Sequence, residues 1–394
     1  MEYHHQFAQQ HDLSDGGRDP NQDKNRPNSA SGLHTSTIRR KLVLWWWGRR
    51  LACPRARPAQ RGAASLLMHP EPIPASRRDA MIRLLRLGGV GAAAAGLGVW
   101  LTERGQRPAP PDAPLVRKNF QVPDDSALPE MAVVQGIDPA LIARRATEEL
   151  GGIHRFVSRG DVVVVKPNVA WDATPEQAAD TNPLVVAEVC RLCLEAGARR
   201  VIVTDVSIND PRSCFARSGI AAAVRAAGAE VVLPEDRLFR EVDLHGETLH
   251  SWPVLEPFLS ADKVINVPIA KHHSLTNATL GIKNWFGILG GSRQRLHQRV
   301  DESLVDLAAF MRPTLTIVDA YRVLLRNGPG GGNLADVALK KTVIAGTDPV
   351  ALDAYAAKAY WDLDADDLPY LTLAADRHLG TADFEAIRTR FATL

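Results

Sequence analysis

KVINVPIAKHHSLTNATLGIKNWFGILG, residues 263–290, runs an apolar strand into a cluster holding Lys271, His272, His273 and Lys283 among amide and hydroxyl side chains. A strand reading KVINVPIA is apolar on both faces and is therefore expected to be buried. The polar cluster then falls at its carboxyl end, where open α/β sheets keep their ligand sites. The same design recurs where Val162, Val163, Val164 and Val165 stop at Lys166, Pro167 and Asn168. Two strands thus deliver lysine and asparagine to one rim.

Around these two segments, strand and helix patterns alternate. Strands are predicted at 131–135, 161–166, 200–204, 230–233, 263–267, 315–319 and 342–345. Helices are predicted at 139–150, 183–196, 220–227, 301–311, 349–360 and 369–379. Thr181 or Asn182 caps the second helix, and Gly197 and Gly228 close the second and third. A hairpin turn is expected at Asp243–Glu247. The pattern predicts an α/β fold: a mainly parallel sheet flanked by helices, built from βαβ units, with an irregular central insertion.

Five motifs occur in order: KPN at 166–168, TNP at 181–183, VPIAKHH at 267–273, LGIKNWFG at 280–287 and GTDPVALDAYAA at 346–357. Together they resemble the family known as domain of unknown function 362, over residues 116–379. The resemblance implies a map of site positions and no assigned reaction. Its Lys-x-His pattern falls on Lys271 and His273 and leaves His272 variable. Some relatives carry ferredoxin-like cysteines, and this chain departs from them.

The start of the chain reads differently. Residues 1–67 show neither helical nor strand periodicity and resemble upstream sequence read through in frame, a non-native, disordered extension. From Met68, a basic stretch with Ser76, Arg77, Arg78, Arg83 and Arg86 precedes the apolar run Leu87–Leu101, so residues 68–106 are expected to be a twin-arginine-type export signal. That run would span roughly 22 Å as a helix, short of the ~30 Å hydrocarbon core. No A-x-A cleavage site follows, so an uncleaved membrane anchor stays open beside a removed signal, as does an ordinary soluble helix. Residues 107–115 form a Pro-rich linker, and 116–394 are expected to be one α/β domain. The implied partners are the twin-arginine export machinery and, through the leader, a membrane. The implied location is bacterial, periplasmic or anchored facing the periplasm.

Residues 1–114 hold 17 Lys and Arg against 9 Asp and Glu, leaving 30 against 36, a net −6, for residues 115–394. An acidic body argues against a nucleic-acid partner, which requires a basic footprint. Cys53 lies before Met68 and drops out with the extension, leaving Cys190, Cys193 and Cys214; Cys190 and Cys193 fall three apart on the apolar face of a predicted helix, and buried thiols are the plain reading. A metal pair or a disulfide is the other reading of these cysteines. No C-x2-C-x2-C run is present, so an iron–sulfur cluster is not expected.

Strand ends collect the candidate site: Lys166 and Asn168, Asp205, Lys271 with His273, Asp319, and Asp348. Lys283 and Asn284 join if their segment folds back. Lys166, Lys271 and His273 are the expected catalytic groups. Asn168, Lys283, Asn284, Asp205, Asp319 and Asp348 are the expected ligand contacts. Three lysines suit carboxylate or phosphate oxygens, and nearby positive charge would keep His273 neutral as a general base. His273 with Asp205, Asp319 and Asp348 could also hold a divalent metal, although no close-spaced pair such as H-x3-H supports one. Structural readings stand beside these. Asp348 before Pro349 fits a helix cap, Asp205 a turn cap, Asp353 a solvent-facing position, and Trp285 and Phe286 core packing. The GPGGG run at 328–332 lacks the Lys-Ser/Thr of a P-loop and reads as a turn, or as a lid with glycine hinges.

Three functions are compatible with this reading. The first is an exported enzyme acting on a small anionic metabolite. The second is a non-catalytic extracytoplasmic receptor for such a ligand or a metal. The third is a redox protein with an inserted cofactor, which the cysteine pattern disfavours.

Overall fold

The computed structural model describes residues 119–394; the expected extension and leader lie outside the described residues, as does the linker. Among the described residues there are twelve strands: β1 (Met131–Gln135), β2 (Val162–Pro167), β3 (Arg200–Val203), β4 (Glu230–Val231), β5 (Phe239–Asp243), β6 (Ser251–Leu255), β7 (Lys263–Val267), β8 (Ile269–His273), β9 (Asn277–Thr279), β10 (Leu315–Leu324), β11 (Val337–Gly346) and β12 (Thr389–Thr393). Ten of them form one sheet in the order β12-β1-β11-β10-β7-β2-β3-β4, with β8 on β10 and β9 on β8. The pairs β1–β11, β10–β11 and β8–β9 are antiparallel and the remaining pairs in this sheet are parallel, so the sheet is mixed and mostly parallel.

Both faces are covered, which explains the unbroken valine runs. Val163 and Val165 of β2 pack with α1 (Pro139–Glu149) and α2 (Pro183–Glu195). Behind α2, the short helices α3 (Pro211–Arg217) and α4 (Ile220–Ala226) close the same face, and α5 (Glu256–Ser260) follows β6. Val164 points the other way, into a core with α6 (Val300–Phe310), α7 (Pro349–Trp361) and α8 (Pro369–Asp376). The helix starts follow their capping signals. Asp138 accepts from the Ala140 and Leu141 amides, Asn182 from Leu184, and Asp348 from Val350 and Ala351, each followed by proline. Gly197 ends α2 with φ +88°. Cys190, Cys193 and Cys214 are free thiols in the core. Among the described residues no helix is long and apolar enough to cross a membrane.

Five features depart from the sequence reading. The segment expected as a polar loop after Pro268 is the strand β8, hairpinned to β9. β10 continues five residues past the expected end at Asp319 and so offers a free edge, on which Asp319 pairs Ile269 and Leu324 pairs Lys271. Helix α3 follows Asp210-Pro211, a cap signal of the same kind as the others, and the C-terminal strand β12 pairs with β1. Asp353, expected to face solvent, is fully buried, and its carboxylate accepts the Gly281 and Ile282 amides at 2.7 and 2.9 Å.

That carboxylate fastens α7 to the turn leading into Lys283. Burial pushes its pKa up to about 7 against the pull of the two N–H donors. Asp353→Ala is expected to strand both amides and lower stability by about 2–4 kcal/mol, read from a urea melt. An unchanged midpoint would remove this anchor from the account.

Candidate functional site

At the carboxyl ends of β2 and β3, beside β8, lies a cavity of about 520 Å³ including its open mouth. Its floor is set by alternation along β2. Val164 and Lys166 point to the same face, and register places Lys166 beside Asn266 of β7. Lys166 is fully buried and donates all three ammonium hydrogens: to Asp205 Oδ1 at 2.7 Å, Asn284 Oδ1 at 2.9 Å and the Pro167 carbonyl at 2.9 Å. Burial lowers its pKa and Asp205 raises it. Three acceptors need three hydrogens, so it is held as ammonium. Asp205 turns its other oxygen to the Val169 amide at 2.6 Å. Asn284 accepts from Asn168 Nδ2 at 3.1 Å and donates to Asn266 Oδ1 at 2.8 Å. Gly287 closes over the pair, for a Cβ there would lie 1.8 Å from Asp205 Oδ1.

Lys271 reaches the same place from β8. Its buried ammonium donates to Asn168 Oδ1 at 3.0 Å and to the Ala179 carbonyl. Burial pushes its pKa down to about 8, with Asp180 opposing. Asp180 lies beneath, one oxygen accepting the Trp171 amide at 3.0 Å and the other buried without a hydrogen-bond partner; burial pushes its pKa up to about 7. The TNP motif locks this floor. Thr181 Oγ1 accepts the Asn168 amide and donates to the Val267 carbonyl, and the Asn182 amide donates to Asp319 Oδ2 at 2.7 Å.

The upper wall carries Lys283, His273, Phe286, Arg293 and His297. Lys283 makes no hydrogen bond or ion pair with the described residues. Its Nζ sits 4.8 Å from the Phe286 ring centroid, and burial, then Lys271, pushes its pKa down to about 8. His273 Nδ1 accepts the Leu275 amide at 3.1 Å. Burial and the neighbouring Lys283 push its pKa down to about 3. The ring is therefore neutral and carries its hydrogen on Nε2. Arg293 spends its guanidinium on the Val206, Ser207 and Phe286 carbonyls. His297 meets Phe286 edge-on at 5.9 Å.

A family model described as "Domain of unknown function (DUF362)" matches residues 163–358. A thylakoid-associated protein of Synechocystis sp. is 30% identical over 245 residues, which cover 60% of this chain and 74% of that protein. The chain belongs to the DUF362 family. Among solved structures, the lactate racemase apoprotein from Thermoanaerobacterium thermosaccharolyticum aligns with a TM-score of 0.33 at 12% identity. The alignment covers 60% of this chain and 56% of that one, so the chain spans little more than half its length. A likeness this slight transfers nothing.

In this DUF362 chain the cavity gathers Lys166, Asn168, Asp205, Lys271, His273, Lys283 and Asn284, from segments up to 118 residues apart. Asp319 and Asp348 do not line it. Asp319 is enclosed, with both oxygens on the Asn182 and Tyr321 amides, and burial lifts its pKa to about 6. Asp348 lies on the opposite rim. Because β11 runs antiparallel, its last residue Gly346 pairs Thr316 near the start of β10. There Asp348 caps α7 and accepts the Thr381 amide at 2.9 Å. His273, Asp205, Asp319 and Asp348 thus do not converge, and among the described residues no group of three or more His, Cys, Asp or Glu is placed to hold a metal.

Sequence reasoning missed Asp180, Thr279, Arg293 and His297. Asp180 stands directly before the TNP motif, which could have flagged it; Arg293 and His297 lie in a short-turn segment without periodicity. The GPGGG loop packs against β8, with the Gly328 amide on His272 Nδ1 at 3.1 Å, and contributes Pro329 to the cavity wall.

Gly287→Ala tests the closure. The added methyl must push Asp205 or Lys166 aside, with an expected loss of about 1–3 kcal/mol and a lower Tm by calorimetry. A variant as stable as the parent would show that this contact is slack.

Proposed function

We propose that this DUF362 protein captures a small carboxylate or phosphate compound in the Lys271–Lys283 cavity and acts on it as an enzyme. One observation carries the reading. Asp205, the carboxylate lining the cavity, is consumed by Lys166 and a backbone amide, while Lys283 and the third N–H of Lys271 have no hydrogen-bond acceptor among the described residues. Burying cations without partners is costly, and a ligand oxyanion offsets that cost. The neutral His273 adds an N–H donor that helps to orient such a guest, while Asn284 has both amide hydrogens and its oxygen engaged within the floor. Lys166 serves as scaffold in this reading, since it has no hydrogen left to give. His273 acts as a donor rather than as the expected base, because Nδ1 is occupied and Nε2 holds the proton.

A non-catalytic receptor is the second reading, and one observation favours it. The acceptors of Asp205 and His273 that could serve as bases are already engaged, leaving the buried oxygen of Asp180 as the free carboxylate atom nearby. Binding is common to both readings and turnover separates them.

Calorimetric titration of the full chain with phosphate, oxalate and pyruvate is expected to show binding of at least one. Lys283→Gln should weaken it by at least about tenfold, equivalent to about 1.4 kcal/mol. Failure of all three anions to bind would sink the proposal.

The proposal includes export. The basic-then-apolar stretch with Arg77 and Arg78 supports it, and the similarity to a thylakoid-associated relative is in keeping with work at or across a membrane. Fractionation of a bacterial host expressing the chain from Met68 should place it outside the cytoplasm or on the membrane, and Arg77→Lys with Arg78→Lys should retain it inside. Wholly cytoplasmic parent protein would overturn this part.

A further inference from the structure

The three buried lysines of the cavity differ in how their hydrogens are used. Lys166 donates three hydrogen bonds and is thereby fixed as ammonium, while Lys271 donates two and has the Asp180 carboxylate favouring its charged form. Lys283 donates none to the described residues, although it is only 6% exposed and lines the same cavity. We propose that Lys283 is a nucleophilic amine that forms a Schiff base with the carbonyl carbon of a small 2-oxo acid whose carboxylate lies beside Lys271. The inference rests on the anion-binding reading above and narrows its substrate class.

The chemistry asks for a lysine that can shed its proton near neutrality inside a pocket that still attracts a carboxylate. Burial and a second cation close by are the two means by which proteins prepare such an amine. Both act on Lys283, through its enclosure and through Lys271, and hold its pKa at about 8. The groups facing it are Lys271, His273, His297 and, with opposite sign, Asp301. The Phe286 face favours the ammonium and works the other way. It does not supply a hydrogen-bond acceptor.

Two further groups suit the carbonyl oxygen. Thr279 Oγ1 is buried, lines the cavity and has no hydrogen-bond partner, and His273 carries an N–H on a ring that stays neutral. In the step itself the Lys283 lone pair adds to the carbonyl carbon. The resulting carbinolamine then loses the former carbonyl oxygen as water, with the two amine hydrogens, and leaves a C=N bond. No oxidant or reductant is consumed.

Glyoxylate and pyruvate are the probes. The full-length protein is incubated with either acid and sodium cyanoborohydride, whose hydride adds to the imine carbon while solvent protonates the nitrogen. The stable secondary amine is then located by peptide mass mapping, with calorimetric binding of oxalate, which has no ketone or aldehyde carbon, measured in parallel. The expected result is one adduct per chain, on Lys283, suppressed by excess oxalate and absent from Lys283→Arg. Mapping of the parent protein gives the answer even if that variant fails to fold. Oxalate binding without an adduct on Lys283, or adducts confined to surface lysines, overturns the Schiff-base assignment and leaves the anion pocket standing. Neither binding nor labelling overturns both.

Discussion

The buried ion pair between Lys166 and Asp205 is the constraint around which the cavity is organised. It joins the end of β2 to the end of β3, and through Asn284 it draws in the Lys283–Ile288 turn. A buried pair is stable only when its remaining hydrogens and lone pairs are also satisfied. Here they are: Lys166 has three acceptors, and both oxygens of Asp205 have donors. Removing either partner would leave the other charged and stranded in the core. The pair therefore serves the site by holding still, and leaves Lys283 and one N–H of Lys271, beside the cavity, without a hydrogen-bond acceptor among the described residues.

A second layer of carboxylates repeats the principle without a cation. Asp319 and Asp353 each accept two backbone amides, and burial raises the pKa of both. Each ties a distant element to a loop beside the cavity: Asp319 to the start of α2, Asp353 to the turn before Lys283. They act as struts, outside the cavity wall, with both oxygens of each turned to backbone amides.

Much of this was legible in the chain. Four consecutive valines announce a strand buried on both faces, and Asp or Asn before proline marks helix starts at α1, α2 and α7. Lysine at the end of a valine run was a sound signal of a polar rim, and Lys166, Asp205, Lys271 and Asn284 do meet. What the chain concealed was strand direction. Nothing local distinguishes β11 from a parallel strand, so Asp348 was assigned to the wrong rim. The role of Lys166 was hidden for a related reason, since its exhaustion as a donor depends on Asn284, 118 residues away. Periodicity also could not reveal that Lys271 and His273 stand on a strand, because β8 exists only where β10 overruns the sheet.

The three core cysteines have a chemical consequence of their own. Enclosure pushes the thiols of Cys190 and Cys214 up to about 12 and about 11, and raises Cys193 further. The reactive thiolate is thus almost absent while the chain is folded. At these three positions peroxide, alkylating reagents and mixed-disulfide exchange find little thiolate to attack, whether the surroundings are reducing or oxidising. Their sulfur chemistry becomes accessible when the core opens, which makes these side chains an internal clock for unfolding.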